Sequence, residues 1–395
     1  MTTQLCIFTC LFTTSSVSFA ADWLQFRGPN SSGVAPETQV PSKLEKKNIA
    51  WSTDLPGRGL SSPIVVGDRV FLTAADAPQQ KRLHVICLNA KDGSLLWRRR
   101  FRATGRTMCH PKTNVAAPSP ASDGRRLFAL YSSNDLICLD LDGNLLWMRG
   151  LTWDYPNASN SLGLASSPVV AGNTLVVQSE NDSNSFAAGI EIKNGKNQWK
   201  IARPKAANWT SPVLLDETSV ALQSSAGVHV VEAATGKKKW HYRDGASTIP
   251  TLAAANGVLY VPSQGITALR PGGNGVKQLW RSNQLSPSTA SPIVLGDHIF
   301  TVNRTGVLTC ATIKDGKRTW QLRLKGPFSA SPVATGNYIY FVNEKGLVQV
   351  VDVSGAKGVL ASTMGLGEPV LSTPAISGAA VYVRSNAHVW KLARK

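Results

Sequence analysis

Residues 87–97 read CLNAKDGSLLW: an apolar run, then Asp92-Gly93, then Trp97 four residues after the glycine. An Asp-Gly pair lets both central positions of a two-residue turn take positive φ, so it joins two antiparallel strands. The same arrangement recurs downstream at Asp142-Gly143 with Trp147, Asn194-Gly195 with Trp199, and Thr235-Gly236 with Trp240. It continues at Asn274-Gly275 with Trp280 and Asp315-Gly316 with Trp320, and five of these six units keep the four-residue spacing. The next unit departs, with Leu360 where the tryptophan belongs.

Upstream of each turn lies a second marker. A Ser/Thr-Pro step recurs at Ser62-Pro63, Ser119-Pro120, Ser167-Pro168, Ser211-Pro212, Ser291-Pro292, Ser331-Pro332 and Thr373-Pro374, and Ile249-Pro250 fills the remaining slot. Proline cannot donate to a ladder, so it belongs at the start of a strand. Eight residues after each proline stands an apolar or aromatic residue: Phe71, Phe128, Val176, Val220, Val258, Phe300, Tyr340 and Tyr382. Glycine stands four residues after six of the eight prolines, so strand, turn and strand follow one another. Each unit therefore holds four short strands in about 40 to 50 residues, the pattern of a propeller blade.

Eight proline steps predict an all-β fold, an eight-bladed β-propeller of four-stranded blades. The last unit starts at Pro374 and has room for three strands, the third at His388 to Leu392. Ile49 to Thr53 supplies a spare strand, and an N-terminal strand completing the last blade closes the ring and removes both free edges. The expected boundaries are a signal peptide at 1–20, an N-terminal extension at 21–48 and the propeller at 49–395. Residues Leu5 to Phe12 form the short apolar stretch of an export signal, and Ser18-Phe19-Ala20 offers small residues for cleavage near Ala20. The expected location is periplasmic or secreted. Cys10 is a poor lipidation site, because Phe8 and Thr9 precede it.

The 395 residues include 42 Lys+Arg and 24 Asp+Glu, a formal charge of +18. At 43% hydrophobic residues the chain can bury a core, which excludes wholesale disorder. No uninterrupted apolar run of about 18 residues exists, so no membrane span is expected. After the leader, Cys87, Cys109, Cys138 and Cys310 remain, and no Cys-x-x-Cys pair suggests zinc. Cys87 and Cys138 sit in the matching contexts VICLNAKDG and LICLDLDG and read as buried thiols acting as small hydrophobes.

The echoes VVEAATGKKKW (230–240) and CATIKDGKRTW (310–320) of the opening stretch resemble the tryptophan-docking motif of the PQQ-like repeat family, the quinoprotein-type β-propellers. The segment DWLQFRGPNSSGV (22–34) is similar to the start of exported bacterial members. The resemblance covers about 49–395 and implies that the six tryptophans pack between blades. It implies two classes of function. One is dehydrogenation of alcohols or sugars with PQQ and Ca. The other is non-catalytic, as in the propeller lipoprotein of the outer-membrane β-barrel assembly machinery, similar in length and blade number. The enzymes of the first class need calcium ligands, a base and, in several, an adjacent cysteine pair. No such pair occurs, and no family catalytic residue maps onto this chain.

Loops on a rigid scaffold carry function, so deviations from the repeat mark the candidate site. Trp97 to Pro120 spans 23 positions and Trp147 to Pro168 spans 21, against 10 to 14 in the five later links. The inner loops Ala74–Arg82 and Gln178–Ala188 are enlarged too, and all four segments are expected on one face. The first link carries Arg98, Arg99, Arg100, Arg102, Arg106 and Lys112 without an acid. Candidate ligand residues are Arg106, His110, Lys112, Trp153, Asp154, Tyr155, Glu180, Asn181 and Asp182. They offer cations for carboxylates, aromatics for a ring and oxygens for calcium. The alternative reading of the same segments is solvated basic loops. No catalytic or metal residue is assigned. No G-x-S-x-G, H-E-x-x-H or P-loop occurs, and His84 and His388 read as packing residues.

The expectation is an exported, non-catalytic binding or protein-interaction scaffold of the cell envelope with no cofactor. The alternative is a PQQ- and Ca-dependent dehydrogenase, or a degenerate quinoprotein that binds a small anion. An envelope protein or an anionic ligand or polymer is the expected partner; nucleic acid is not. An anionic partner is expected to prefer the first link, so that mutating Arg98–Arg102 weakens it more than mutating Lys237–Lys239.

Overall fold

The computed structural model describes residues 22–158, 161–272 and 275–394. The leader expected at 1–20 lies outside these residues. The chain forms eight four-stranded antiparallel sheets arranged as blades. The first blade comprises Ile64–Val66, Arg69–Asp76, Arg82–Asn89 and Leu95–Arg102. The eighth is composite: Ala375–Ser377, Ala380–Arg384 and His388–Ala393 are completed by Ile49–Asp54. That early strand pairs antiparallel with His388–Ala393, setting Trp51 opposite Lys391 and Asp54 opposite His388. Closure by the N-terminal strand is therefore observed. No helix among the described residues is long and apolar enough to cross a membrane.

The second and third strands of a blade lie between its neighbours and are buried on both faces. They read accordingly as continuous apolar runs, such as Val70, Phe71 and Leu72 with Val85, Ile86 and Cys87. The tryptophans of the outer strands dock on the following blade. Trp97 Nε1 donates to Leu141 O at 3.0 Å, Trp147 Nε1 to Ile192 O at 3.0 Å, and Trp199 Nε1 to Ala233 O at 2.7 Å. Trp280 Nε1 donates to Ile313 O at 2.9 Å, and Trp51 closes the circle on Ala90 O at 3.2 Å. Each indole also lies on the turn glycine of the next blade. A Cβ at Gly143, where φ is +82°, would stand 2.8 Å from the Trp97 ring. The turn glycine thus supplies positive φ and room for an aromatic ring together.

Two irregularities of the repeat follow from this docking. Cys87, Cys138 and Cys310 stand directly opposite Trp97, Trp147 and Trp320 in their hairpins, next to a register shift. A small residue is needed there, and burial pushes the Cys87 and Cys138 thiols up to about 12 and that of Cys310 to about 11. All three are free, as is Cys109. The tryptophan position of the seventh blade is Ser362 and not Leu360 as expected: Ser362 stands opposite Val350 as Trp320 stands opposite Cys310, and Leu360 matches Arg318. No tryptophan is needed there because the eighth blade joins its third and fourth strands from opposite chain ends, leaving no turn glycine to dock on. The extension covers that site instead: Ser362 Oγ donates to Ser42 O, and Leu44 N donates to Ser362 Oγ.

The rest of the extension is part of the ring. Trp23 exchanges backbone hydrogen bonds with Val65 of the first blade, and Ser122 N of the second donates to Leu24 O. Arg27 reaches Leu252 O and Pro292 O in the fifth and sixth blades. Ala35 N donates to Ala334 O in the seventh, and Thr38 Oγ1 donates to Gly378 O in the eighth. Residues 22–38 therefore run across the axis and stop the channel on the side of the tight turns.

Candidate functional site

Strand alternation puts the blade-to-blade links on one face together with the loops between second and third strands. The long segments of the first three blades meet there. Gln79–Lys81 and Gly105–Cys109 border one cavity of about 620 Å³. Asp154–Asn157, Asn184–Phe186 and Lys200 border another of about 380 Å³. The segments are tied to each other. His110 N donates to Leu162 O at 3.0 Å, joining the two long links, and Val115 N donates to Gln80 Oε1 at 3.2 Å. Asp135, buried and outside the candidates named above, anchors the first link by accepting from Thr104 N, Thr104 Oγ1 and Ser133 Oγ. Burial raises its carboxyl pKa despite those donors.

The candidate residues divide into three groups rather than one pocket. His110 and Lys112 stand at the mouth of the central channel. His110 Nδ1 accepts from Lys112 N, and Lys112 Nζ lies 3.1 Å from Glu344 Oε2. Arg106 is exposed beside Met108, its Nη2 3.2 Å from the sulfur. Asp154 pairs with Arg149. Tyr155 packs on Phe186 with ring centroids 4.4 Å apart, and Lys200 Nζ sits 3.8 Å over its ring. Trp153 is 78% exposed.

The third group is internal at Glu180 and Asn181 and exposed at Asp182. Glu180 is buried against Arg203 at 2.5 Å and Asn208 at 3.0 Å, so both its oxygens are committed and it offers none to a ligand. Asn181 holds its own loop, accepting from Ser183 N at 2.8 Å and donating N–H to Ser185 Oγ. Asp182 accepts from Ser161 Oγ at 3.0 Å. Asn160, in the second link, lies outside the described residues.

The arginine run expected in the first link lies outside it. Arg98, Arg99, Arg100 and Arg102 belong to the outer strand Leu95–Arg102, which continues past the tryptophan. Alternation sends Arg98, Arg100 and Arg102 to one side as exposed residues, while Trp97, Arg99 and Phe101 are half-buried on the other. Arg99 Nε donates to Gly143 O at 2.7 Å. These side chains flank the wall of the ring, and only Arg106 and Lys112 lie in the link itself.

Along the axis eight Ser/Thr residues form a belt that pairwise sequence reading does not reveal; in the fifth blade the slot expected at Ile249-Pro250 is filled by Thr251-Leu252, since Ala253 pairs with Tyr260 as Ile293 pairs with Phe300. Ser62 N donates to Ser119 Oγ, Ser119 N to Ser167 Oγ, Ser167 N to Ser211 Oγ and Ser211 N to Thr251 Oγ1, at 2.8–3.1 Å. Thr251 N continues to Ser291 Oγ, Ser291 N to Ser331 Oγ and Ser331 N to Thr373 Oγ1, each at 3.0 Å. Where the belt meets its own start, buried Arg384 donates to Ser61 O, Ser61 Oγ and Thr73 O. Above the extension this leaves a funnel of about 360 Å³.

Calcium takes six to eight oxygen ligands, carboxylates prominent among them. The funnel wall contains no aspartate or glutamate. Among the described residues, no three His, Cys, Asp or Glu side chains cluster as metal ligands. The residues at the axis therefore do not fit a quinone held on calcium.

The family model described as outer membrane protein assembly factor BamB matches residues 39–242 and 263–361. The chain is 24% identical over 281 residues to the outer membrane protein assembly factor BamB of Moranella endobia, covering 68% of this chain and 65% of that protein. It is 25% identical over 224 residues to a polyvinylalcohol dehydrogenase of a Pseudomonas species, covering 55% of this chain and 32% of that protein. It thus spans just under two thirds of the first relative and about a third of the second. BamB from Moraxella catarrhalis superposes with a TM-score of 0.64 at 18% identity, covering 91% of this chain and 98% of that one. The quinohemoprotein alcohol dehydrogenase of Comamonas testosteroni superposes with a TM-score of 0.70 at 12% identity, covering 95% and 81%. Both superpositions show the fold, and fold alone does not select between their functions.

Proposed function

The chain belongs to the family of propellers described as outer membrane protein assembly factor BamB, and we propose that it serves as a protein-interaction scaffold of the cell envelope, without catalysis. The observation that carries this reading is the sector built over the first three blades. There the two long links expose Met108, Trp153 and Leu162 to 55%, 78% and 43%. Trp153 is the most exposed large apolar side chain among the described residues. Exposed apolar groups, with Arg106 beside Met108, resemble the anchor residues of protein interfaces, where tryptophan and arginine dominate the binding energy. The partner it fits is an envelope protein, approached from the link face.

The dehydrogenase reading draws on the polyvinylalcohol dehydrogenase match over 55% of the chain. It is opposed by the donor set at the axis, which lacks carboxylates. Titrating the purified protein with PQQ and Ca²⁺ and following absorbance and alcohol- or sugar-dependent dye reduction separates the two. The scaffold reading expects neither a saturable spectral shift nor reduction. A stoichiometric shift with substrate-dependent turnover overturns it.

A further inference from the structure

We propose that the central funnel is a binding site for a small free oxyanion, of the carboxylate or phosphate type, formed by the hydroxyl belt above Arg27.

The first support is a count of donors. A hydroxyl has one proton to give and two lone pairs. Seven of the eight belt hydroxyls accept a backbone N–H from the preceding blade. Each keeps its proton, and among the described residues none of the eight donates it to a protein acceptor. All eight line the funnel, at 1–5% exposure. The belt thus presents O–H donors from every blade around one axis, fixed by the backbone that holds their oxygens.

The second support is charge. Arg27 is fully buried beneath the belt. It donates to Leu252 O at 3.1 Å and Pro292 O at 2.5 Å, the carbonyls that directly follow Thr251 and Ser291 of the belt. Its remaining contact is Ser32 O at 3.1 Å, and its buried Nε has no partner among the described residues. Carbonyl dipoles solvate the guanidinium, but no carboxylate neutralises it. Burial pushes its pKa down to about 10, which still leaves it charged at neutral pH. An uncompensated buried cation is costly, and an anion seated above it offsets that cost. His110 and Lys112 stand at the rim, and the acid beside Lys112, Glu344, is held by Lys112 and by Ser329 Oγ. Field and donors therefore have the same sign.

Size selects the ligand. The funnel of about 360 Å³ is stopped below by residues 22–38. At roughly 30 Å³ per water, it holds on the order of ten waters, room for a small molecule but not for a chain passing through.

The test is a calorimetric titration of the intact protein with citrate and with inorganic phosphate, at pH 7 and low ionic strength. One saturable site is expected. Lys112→Glu at the rim and Thr251→Val in the belt should each weaken it tenfold or more, while the double variant Lys237→Glu/Lys239→Glu on the opposite face leaves it unchanged. Citrate should also raise the melting temperature of the parent protein and not that of Lys112→Glu. If Thr251→Val does not fold, Lys112→Glu carries the comparison alone. Absence of saturable binding overturns the proposal. So does an equal loss in Lys112→Glu and the opposite-face variant, since that reports overall charge.

Discussion

Replacing Glu180 by alanine is expected to lower the unfolding free energy by about 3–5 kcal/mol, measured by urea denaturation. Glu180 and Arg203 face each other at 2.5 Å with side chains 1% exposed. Arg203 also donates to Leu222 O, and Asn208 bridges Glu180 Oε2 to Gln223 O. Removing the carboxylate strands a buried guanidinium and frees two donors. Burial alone pushes the Glu180 pKa up, and Arg203 is the largest influence drawing it back. The pair is therefore expensive to half-dismantle and cheap to remove whole. A Glu180→Leu/Arg203→Met variant should recover most of the loss, because replacing both charges by apolar groups removes the desolvation cost as well. A Glu180→Ala protein within about 1 kcal/mol of the parent would show that the pair is not buried as described.

The second large effect concerns the seam of the ring. Trp51→Ala should cost about 3–5 kcal/mol, the usual loss for emptying a buried aromatic site. Trp51 is 8% exposed, donates to Ala90 O and lies on Gly93 of the next blade. Thr53 Oγ1 adds a 2.7 Å hydrogen bond to Gly93 O, and Asp54 lies 3.0 Å from His388. Trp153→Ala should change stability by less than about 0.5 kcal/mol, as exposed positions do. Truncation through Asp54 should abolish cooperative unfolding and promote aggregation, since the strand His388–Ala393 becomes an open edge. A truncated chain that stays monomeric and melts like the parent would contradict composite closure.

The fold was readable because its markers are local and repeated. The proline, the turn glycine and the tryptophan each act within a few residues of themselves, and register carries them from blade to blade. The short last unit and the spare early strand at Ile49 to Thr53 pointed to one closure, and the structure supplies it. The site was less readable because its chemistry acts across blades. Ser119 and Ser167 look like strand-start punctuation until their hydroxyls meet the backbone N–H of a residue 57 or 48 positions earlier. Glu180 looked like a loop ligand, and only its burial against Arg203 and Asn208 makes it a structural ion. Arg98 to Arg102 were assigned to a link because the tryptophan was taken to end its strand. The alternation of Trp97, Arg99 and Phe101 was the available signal that the strand continues. Nothing in the sequence pattern told that Arg27 would lie under the belt.

In the scaffold reading proposed above, the link face of the first three blades docks an envelope protein through Trp153. Placing a photo-activated cross-linking residue at position 153, and another at 238 on the opposite face, tests it in intact cells. One envelope protein should cross-link from position 153, none from 238, and Met108→Asp should abolish the adduct while leaving the melting temperature unchanged. Identical cross-linking from both positions, or an adduct indifferent to Met108→Asp, would contradict the claim.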